Sequence, residues 1–242
     1  AMAMLGRLAD DRRAHVCELE WQRCLQWRVL TAEMFGQPEN LALIPNITRL
    51  RIEHHHAPVQ ALLYGAWFAS RLGLEAAGGA WWPEVDALCF QLSASSERTA
   101  QPADVSSEGD AEAAPGVSAP SCLTLELSPA GTSGDGEPAL SAVRMRSASP
   151  VGIGEQGRQE EQALALRRQP GSCVCSAISG AEADEMVVKS LRIPRQDDHE
   201  HIARVIDTRL RDRVFESALR LAVILAEQPG FVLADAGRDS GA

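Results

Sequence analysis

Long apolar runs and an excess of basic charge are both missing from this chain. No apolar run approaches the roughly 20 residues that span a bilayer. The start, Ala1-Met2-Ala3-Met4-Leu5, lacks the basic region and the long apolar core of a signal peptide. The formal net charge of −10 at pH 7 disfavours electrostatic binding to nucleic acid or to an anionic membrane, because both attract basic surfaces. We therefore expect a cytoplasmic protein with neither of these partners.

Aromatic residues and regularly spaced cysteines are also scarce. Aromatics make up 5% of the 242 residues, and all five Trp residues lie at or before Trp82. The first third of the chain should therefore contain most of the core. Six cysteines at irregular spacing do not match the disulfide framework of a small secreted domain. Ser70 and Ser217 have no His and acid spaced to suggest a catalytic triad, and we expect neither catalytic residues nor a cofactor.

The apolar pattern predicts strands in the middle of the chain and helices towards both ends. Pro58 stands where a first helical turn tolerates proline, and Gly73 stands where a glycine ends a helix. Helices near the end, after a run of strands, favour an α+β fold in which helices cover a mixed β-sheet. The predicted helices occupy about 11–35, 58–73, 202–210 and 215–225, and the predicted strands 48–54, 88–92, 123–127, 143–145, 173–178 and 185–193.

Composition divides the chain into parts of different expected order. Residues 93–120 are dominated by small, acidic and breaker residues and contain no aromatic. Such a segment cannot bury enough apolar area to offset its chain entropy, so a disordered insertion is predicted there. The expected parts are a helix-strand-helix-strand part over 1–92, the insertion over 93–120, strands over 121–148, a flexible segment over 149–171, strands and C-terminal helices over 172–230, and a tail over 231–242.

Two motifs lie between Glu18 and Gly73. The first is Glu18-Leu19-Glu20-Trp21-Gln22-Arg23 followed by Trp27-Arg28, and the second runs from Pro58-Val59-Gln60-Ala61-Leu62-Leu63 through Gly65-Ala66-Trp67-Phe68-Ala69-Ser70-Arg71-Leu72-Gly73. Together they resemble the glucose-6-phosphate dehydrogenase assembly protein family, OpcA, found in cyanobacteria and actinobacteria. The stretch Arg211-Asp212-Arg213-Val214-Phe215-Glu216-Ser217-Ala218-Leu219 resembles the family's closing helix.

The chain departs from the family pattern in two places. Cys24-Leu25-Gln26 replaces the usual Leu-Thr-Pro, which predicts a first helix that runs straight where relatives bend. The portion that precedes the first motif in the family has no counterpart here, which suggests that the chain covers the later part of a longer protein.

The resemblance implies a non-catalytic assembly factor or allosteric activator of glucose-6-phosphate dehydrogenase, which supports the oxidative pentose phosphate pathway. It also implies thiol switching in the cyanobacterial branch, with thioredoxin as a second partner. Cys173 and Cys175 are the candidate thiols for such a switch. The alternative is that they are two half-buried strand thiols, because their spacing is not the Cys-x-x-Cys of thioredoxin-type sites.

The first motif supplies the candidate residues for contact with a partner protein. They are Trp21, Arg23, Trp27 and Arg28, and Trp and Arg are the residues most enriched at binding hot spots. Large aromatics on a periodic helix are usually core residues, so the alternative is that both indoles are buried and both arginines pair with acids or cap a helix.

Two arginines that alternate along the first predicted strand suggest a different function, the binding of an anion. Arg49 and Arg51 point to the outward face of the predicted strand, where they could hold an anion. This arrangement would suit a sugar-phosphate-binding or sugar-phosphate-converting domain, although exposed arginines are more often solvated or paired with acids.

Three consecutive histidines, His54-His55-His56, invite comparison with a metal site. Only His54 and His56 can converge on a strand, because neighbouring side chains point to opposite faces. No Cys or Asp nearby completes a tetrahedral ligand set, so we expect ordinary polar residues at the end of a strand and no metal.

Overall fold

Eight strands of the described chain form one mixed sheet, and helices pack on one of its faces. The structure is a computed structural model that describes residues 19–82, 87–94, 120–130, 139–153, 159–168, 174–180, 186–192 and 212–228. The helices are α1 (Leu19–Arg23), α2 (Leu25–Phe35), α3 (Pro38–Leu41), α4 (Pro58–Arg71) and α5 (Arg213–Ala226), with a 3₁₀ turn at Ile44–Asn46. The strands are β1 (Ile47–His55), β2 (Leu74–Trp82), β3 (Ala87–Ala94), β4 (Cys122–Pro129), β5 (Ala139–Ile153), β6 (Gln159–Arg168), β7 (Val174–Gly180) and β8 (Met186–Arg192).

The strand order is β2-β3-β4-β1-β5-β6-β7-β8. β1 is parallel to β4, whereas the other neighbouring strands are antiparallel. The predicted α+β architecture, a mixed sheet covered by helices, is confirmed. Most of the insertion predicted over 93–120 lies outside the described residues, as does the helix predicted over 202–210.

The core lies between the sheet and the helices. Leu50 and Ile52 of β1 are fully buried and stand in register with Leu125 and Leu127 of β4, which are also buried. α1, α2, α4 and α5 contribute side chains to the same cluster. Removing each large apolar side chain from water stabilises the fold by about 1.5–3 kcal/mol, so this cluster fixes which face of the sheet is turned towards the helices.

Helix α4 packs against the sheet and ends as the sequence predicts. Pro58 occupies its first turn, and Gly73 has a φ of 69°, a left-handed conformation that glycine adopts without steric cost. A Cβ atom added at Gly65 would lie 2.9 Å from both terminal methyl carbons of Leu125. The absence of a side chain at Gly65 therefore allows the helix to approach β4.

The helical segment around the first motif is interrupted at Cys24. The Cys24 amide donates to the Glu20 carbonyl at 3.1 Å, and the Arg28 amide donates to the Cys24 carbonyl at 3.0 Å. Helical hydrogen bonding thus passes through the turn between α1 and α2. Residues 11–18 of the predicted helix lie outside the described residues.

Two strands form where the sequence pattern predicts none. β2 contains Ala76-Ala77-Gly78-Gly79, and Ala and Gly are unfavourable in strands, yet it pairs with β3. β6 falls within the segment predicted to be flexible over 149–171, where Leu164 and Leu166 pair with β5. In both cases the neighbouring strand provides the backbone partners that local sequence does not reveal. Within the described part of the chain, every helix is too short or too polar to span a bilayer.

Candidate functional site

The two tryptophans of the first motif lie in the core. Trp21 is 1% exposed and Trp27 is 2% exposed. The Trp21 ring packs against Phe215 of α5, with planes tilted by 40° and ring centroids 5.3 Å apart, a separation within the range of interacting aromatic pairs. The first motif is thereby packed against the C-terminal helix.

A single carboxylate reinforces this packing. The indole Nε1 of Trp21 donates to Oδ2 of Asp212 at 2.9 Å, and the backbone amide of Phe215 donates to Oδ1 of the same residue, also at 2.9 Å. Asp212 is the N-cap of α5, so it satisfies one helix-end amide together with the polar atom of a buried indole. We call Trp21, Arg28, Asp212 and Phe215 the tryptophan clasp.

Arg28 completes the clasp from the side of α2. Its guanidinium carbon lies 3.5 Å from the centroid of the Trp21 ring, within the distance of a cation–π contact. Burial lowers the pKa of Arg28 below its usual value, while Cys24 and then Asp212 oppose that shift. An arginine remains protonated nonetheless, so the clasp holds a half-buried cation against an indole face, where it senses the Asp212 carboxylate.

Arg23 faces a different environment from Arg28. Its guanidinium pairs with Glu20 one turn earlier, and both side chains keep between a fifth and a third of their surface exposed. Of the four candidate partner residues, the structure buries both indoles and leaves both arginines partly accessible. A partner that touched this motif would therefore meet the arginines, and the contact itself stays a prediction.

The second motif is joined to the first by buried polar groups. Thr31 of α2 donates its hydroxyl proton to the Trp27 carbonyl at 2.7 Å and lies 2.5 Å from the Tyr64 hydroxyl. Because a hydroxyl has one proton, Tyr64 donates to Thr31. The Cys24 thiol donates to the Gln60 carbonyl at 3.5 Å, and burial raises the pKa of Cys24 well above its usual value. Cys24 therefore stays a protonated packing residue.

The opposite face of the sheet has a different character. Arg49 lies 3.1 Å from Glu126 of β4, Arg51 lies 3.5 Å from Glu53, and Arg144 of β5 lies 2.5 Å from the same Glu53. The two outward arginines proposed for anion binding thus each have a carboxylate neighbour.

Cys89 of β3 belongs to the same region of the sheet. Burial and, to a smaller extent, Glu126 raise the pKa of its thiol to about 11, against the opposing effect of Arg49 and Arg51. The thiol is therefore protonated at neutral pH, which makes it a poor nucleophile.

The three histidines lie at the end of β1. Burial, with smaller contributions from the neighbouring His55 and His56, lowers the pKa of His54 to about 4. His56 has a φ of 47°, which marks the turn that leads into α4. Across the described residues, no group of three or more His, Cys, Asp or Glu side chains could hold a metal ion.

The structure places the candidate thiols only in part. Cys173 lies outside the described residues, and Cys175 lies in β7 in register with Arg168 of β6. The thiol switch therefore stays a prediction.

Asp212 and Arg144 are the notable residues that sequence reasoning did not select. Asp212 carries a recognisable local signal, because Asp directly before an amphipathic helix is a preferred N-cap. Arg144 alternates with Val143 and Met145 on β5, but its position beside Glu53 depends on strand register, which local sequence does not specify.

Comparison with known proteins gives matches over long and short stretches. The model of a family described as the C-terminal domain of a glucose-6-phosphate dehydrogenase subunit matches residues 14–219. Proteins named "Putative OxPP cycle protein OpcA" are similar over shorter stretches: 38% identity over 64 residues in Synechococcus elongatus, 40% over 58 residues in Nostoc punctiforme and 36% over 74 residues in a Synechocystis strain. These stretches cover 26%, 24% and 29% of this chain and 14%, 12% and 15% of the respective relatives. The matched part is thus a small fraction of each relative's length.

Proposed function

The chain belongs to the family defined by the C-terminal domain of the glucose-6-phosphate dehydrogenase subunit, and from this premise we propose that it is a non-catalytic assembly factor and allosteric activator of glucose-6-phosphate dehydrogenase. In this role it supports the oxidative pentose phosphate pathway. The observation that carries the proposal is the family match over residues 14–219. The relatives named as OxPP cycle proteins support it.

The arrangement of the family motifs agrees with this proposal. Trp21 and Trp27 of the first motif, together with most of α4, are built into the core. They hold α2, α4 and α5 in fixed positions, so the motif residues define the shape of the protein rather than line a reactive centre. A protein of this kind acts through its surface, and the core determines the shape of that surface.

The direct test is kinetic. We expect this chain to lower the glucose 6-phosphate concentration at half-saturation when it is added to the dehydrogenase of the same organism, because an activator stabilises the form with higher substrate affinity. Initial rates over a range of glucose 6-phosphate, with and without the chain, measure the shift. An unrelated acidic protein at the same concentration is the control for nonspecific effects. Unchanged kinetics together with separate elution of the two proteins would contradict the proposal.

The arginines of the first motif are the proposed partner contacts within this function. Arg23→Ala combined with Arg28→Ala should weaken binding to the dehydrogenase while the chain stays folded, as judged by circular dichroism. Unfolding of the double variant would instead identify these arginines as structural residues.

A sugar-phosphate-binding domain is the alternative function, and Arg49 and Arg51 are its candidate ligands. Glucose 6-phosphate alone should raise the melting temperature of the chain under this alternative and leave it unchanged under an activator that binds only protein. Arg49→Gln with Arg51→Gln should abolish any such increase if these residues hold the phosphate.

Control by thioredoxin is a further part of the proposal, with Cys173 and Cys175 as the responding thiols. Their alkylation rates should differ before and after treatment with reduced thioredoxin, and equal rates would remove the idea.

A further inference from the structure

Four arginines form a compact block on the sheet face that is turned away from the core. In the β1–β5 register, Arg49 stands opposite Arg146, and Arg51 stands opposite Arg144. Residues two apart on a strand share a face and lie about 7 Å from each other. The four side chains therefore form two neighbouring cross-strand pairs, which we call the arginine face.

This arrangement is unfavourable for the isolated sheet. Like charges directly opposite each other on neighbouring strands destabilise the pairing. Arg49, Arg51 and Arg144 share two carboxylates, those of Glu53 and Glu126, which leaves an excess of positive charge at this position. The excess contrasts with a formal net charge of −10 for the chain as a whole.

The arginine face is accessible and keeps donor capacity. The side chains of Arg49, Arg51 and Arg144 are 48%, 39% and 41% exposed, and Arg146 is also exposed. Each guanidinium carries five N–H donors, which is more than the carboxylate contacts of these arginines use. The helices α1, α2, α4 and α5 all contribute to the core on the other side of the sheet.

We propose that the arginine face is a docking surface for an acidic surface of a partner protein. Arginine is enriched at protein interfaces, and its planar guanidinium group binds carboxylates through two parallel hydrogen bonds. An acidic protein surface presents several carboxylates at once and can engage both cross-strand pairs. A single phosphate reaches only one pair, because the two pairs lie about 7 Å apart.

The inference rests on the proposed function in one respect, since it takes the partner of this chain to be a protein. It adds a second contact surface, on the other side of the sheet from Arg23 and Arg28, and the charge of the partner surface that would bind there. The experiment therefore includes one probe that does not depend on the dehydrogenase.

The test compares two charge-reversed variants. Arg49→Glu with Arg146→Glu reverses one cross-strand pair of the arginine face and leaves the arginines that contact Glu53 in place. Arg71→Glu with Arg220→Glu is the matched control, since both residues are exposed on α4 and α5 and the net charge changes by the same amount. Circular dichroism and thermal unfolding establish that each variant is folded. If the first variant does not fold, Arg49→Gln with Arg146→Gln replaces it, with Arg71→Gln and Arg220→Gln as control.

Each form is titrated with poly-L-glutamate and, separately, with the dehydrogenase. The wild-type chain and the control should bind poly-L-glutamate with equal affinity. The arginine-face variant should bind it at least about tenfold more weakly. The dehydrogenase should give the same ranking. Binding of the wild-type chain should also weaken as salt is raised, because exposed charges are screened.

The outcomes separate the two proposals. If poly-L-glutamate distinguishes the variants while the dehydrogenase binds none of them, the arginine face is retained and the proposed function fails. If the dehydrogenase binds all three forms equally, or if poly-L-glutamate does not distinguish the wild-type chain from the arginine-face variant, the docking surface is refuted. A third outcome is that the wild-type chain binds inorganic phosphate saturably but does not bind poly-L-glutamate, and that only the arginine-face variant loses phosphate binding. That result would replace the proposed docking surface with a small-anion site.

Discussion

At the scale of single residues, Asp212 joins parts of the chain that are far apart in sequence. It accepts a hydrogen bond from Trp21, 191 residues away, and caps the helix that carries Phe215. Arg28 covers a face of the same indole. Trp21 thus packs its ring against Phe215, donates its indole N–H to Asp212 and stacks one ring face on Arg28. These contacts explain a Trp at this position better than apolar burial alone.

The tryptophan clasp leads to a prediction about coupling. Asp212→Ala removes the N-cap, at a cost of about 1 kcal/mol, and leaves the indole N–H of Trp21 unsatisfied, at about 1–3 kcal/mol more. Trp21→Phe removes that N–H and keeps an aromatic ring. Urea unfolding of both single variants and the double variant measures their coupling. We expect Asp212→Ala to cost less in the Trp21→Phe background, whereas additive effects would show that the hydrogen bond contributes nothing.

His54 gives a prediction about pH. Its folded-state pKa is lowered from 6.5 to about 4 because burial disfavours the charged imidazole. Between these two pH values the unfolded state binds more protons than the folded state. The free energy of unfolding therefore falls as the pH drops from about 6.5 towards 4. Above about pH 6.5 His54 is neutral in both states and causes no loss of stability.

Urea unfolding of His54→Gln across the same pH range should show a weaker fall in stability than the wild-type chain. His56→Asn is the control, because Asn tolerates the positive φ of that position and His54 stays in place. Equal pH dependence in the wild-type chain and His54→Gln would contradict the low pKa of His54.

At the scale of secondary-structure elements, the position of α4 depends on the sheet beneath it. Gly65 stands over Leu125 and Ile52, both fully buried, so the helix axis lies closer to β4 than a larger residue would allow. The capping positions at Pro58 and Gly73 fix the length of the helix, whereas Gly65 fixes its distance from the strands.

Gly65→Val tests this close approach. The added side chain would overlap the methyl groups of Leu125, and overpacking of this kind costs about 1–3 kcal/mol. Ala32→Val, at an exposed position of α2, is the control and should cost about 0.7 kcal/mol or less, which is the range of helix propensities. Thermal unfolding of both variants gives the comparison, and an equal small loss for both would show that α4 has room to move away from the sheet.

At the scale of the whole molecule, the described chain has two sheet faces with opposite chemistry. One is covered by helices and holds the core, and the other carries the arginine face between β1 and β5. The arginines on this face are exposed, whereas Glu126 and Ser128 beside them are buried, so it is the arginine face that is available for binding. Under our proposals, the buried residues of the motifs stabilise the fold, and the arginine face is a contact surface in addition to Arg23 and Arg28.

Much of the fold could be predicted because its signals are local. Alternation in β1, β3, β4 and β5, the ends of α4 at Pro58 and Gly73, and the amphipathic pattern of α5 all follow from neighbours in the sequence. β2 and β6 were not predictable in this way, since Ala-Gly-rich and charged segments become strands only when a neighbouring strand pairs with them.

The sequence by itself determined the α+β class, the family and the residues that carry the motifs. Only the tertiary structure decided that Trp21 and Trp27 are buried, that Asp212 reaches Trp21, and that the arginines of β1 stand opposite those of β5. The physical reason is the range of the interactions. Periodicity and capping act over a few residues, whereas burial and strand register depend on segments far apart in the chain.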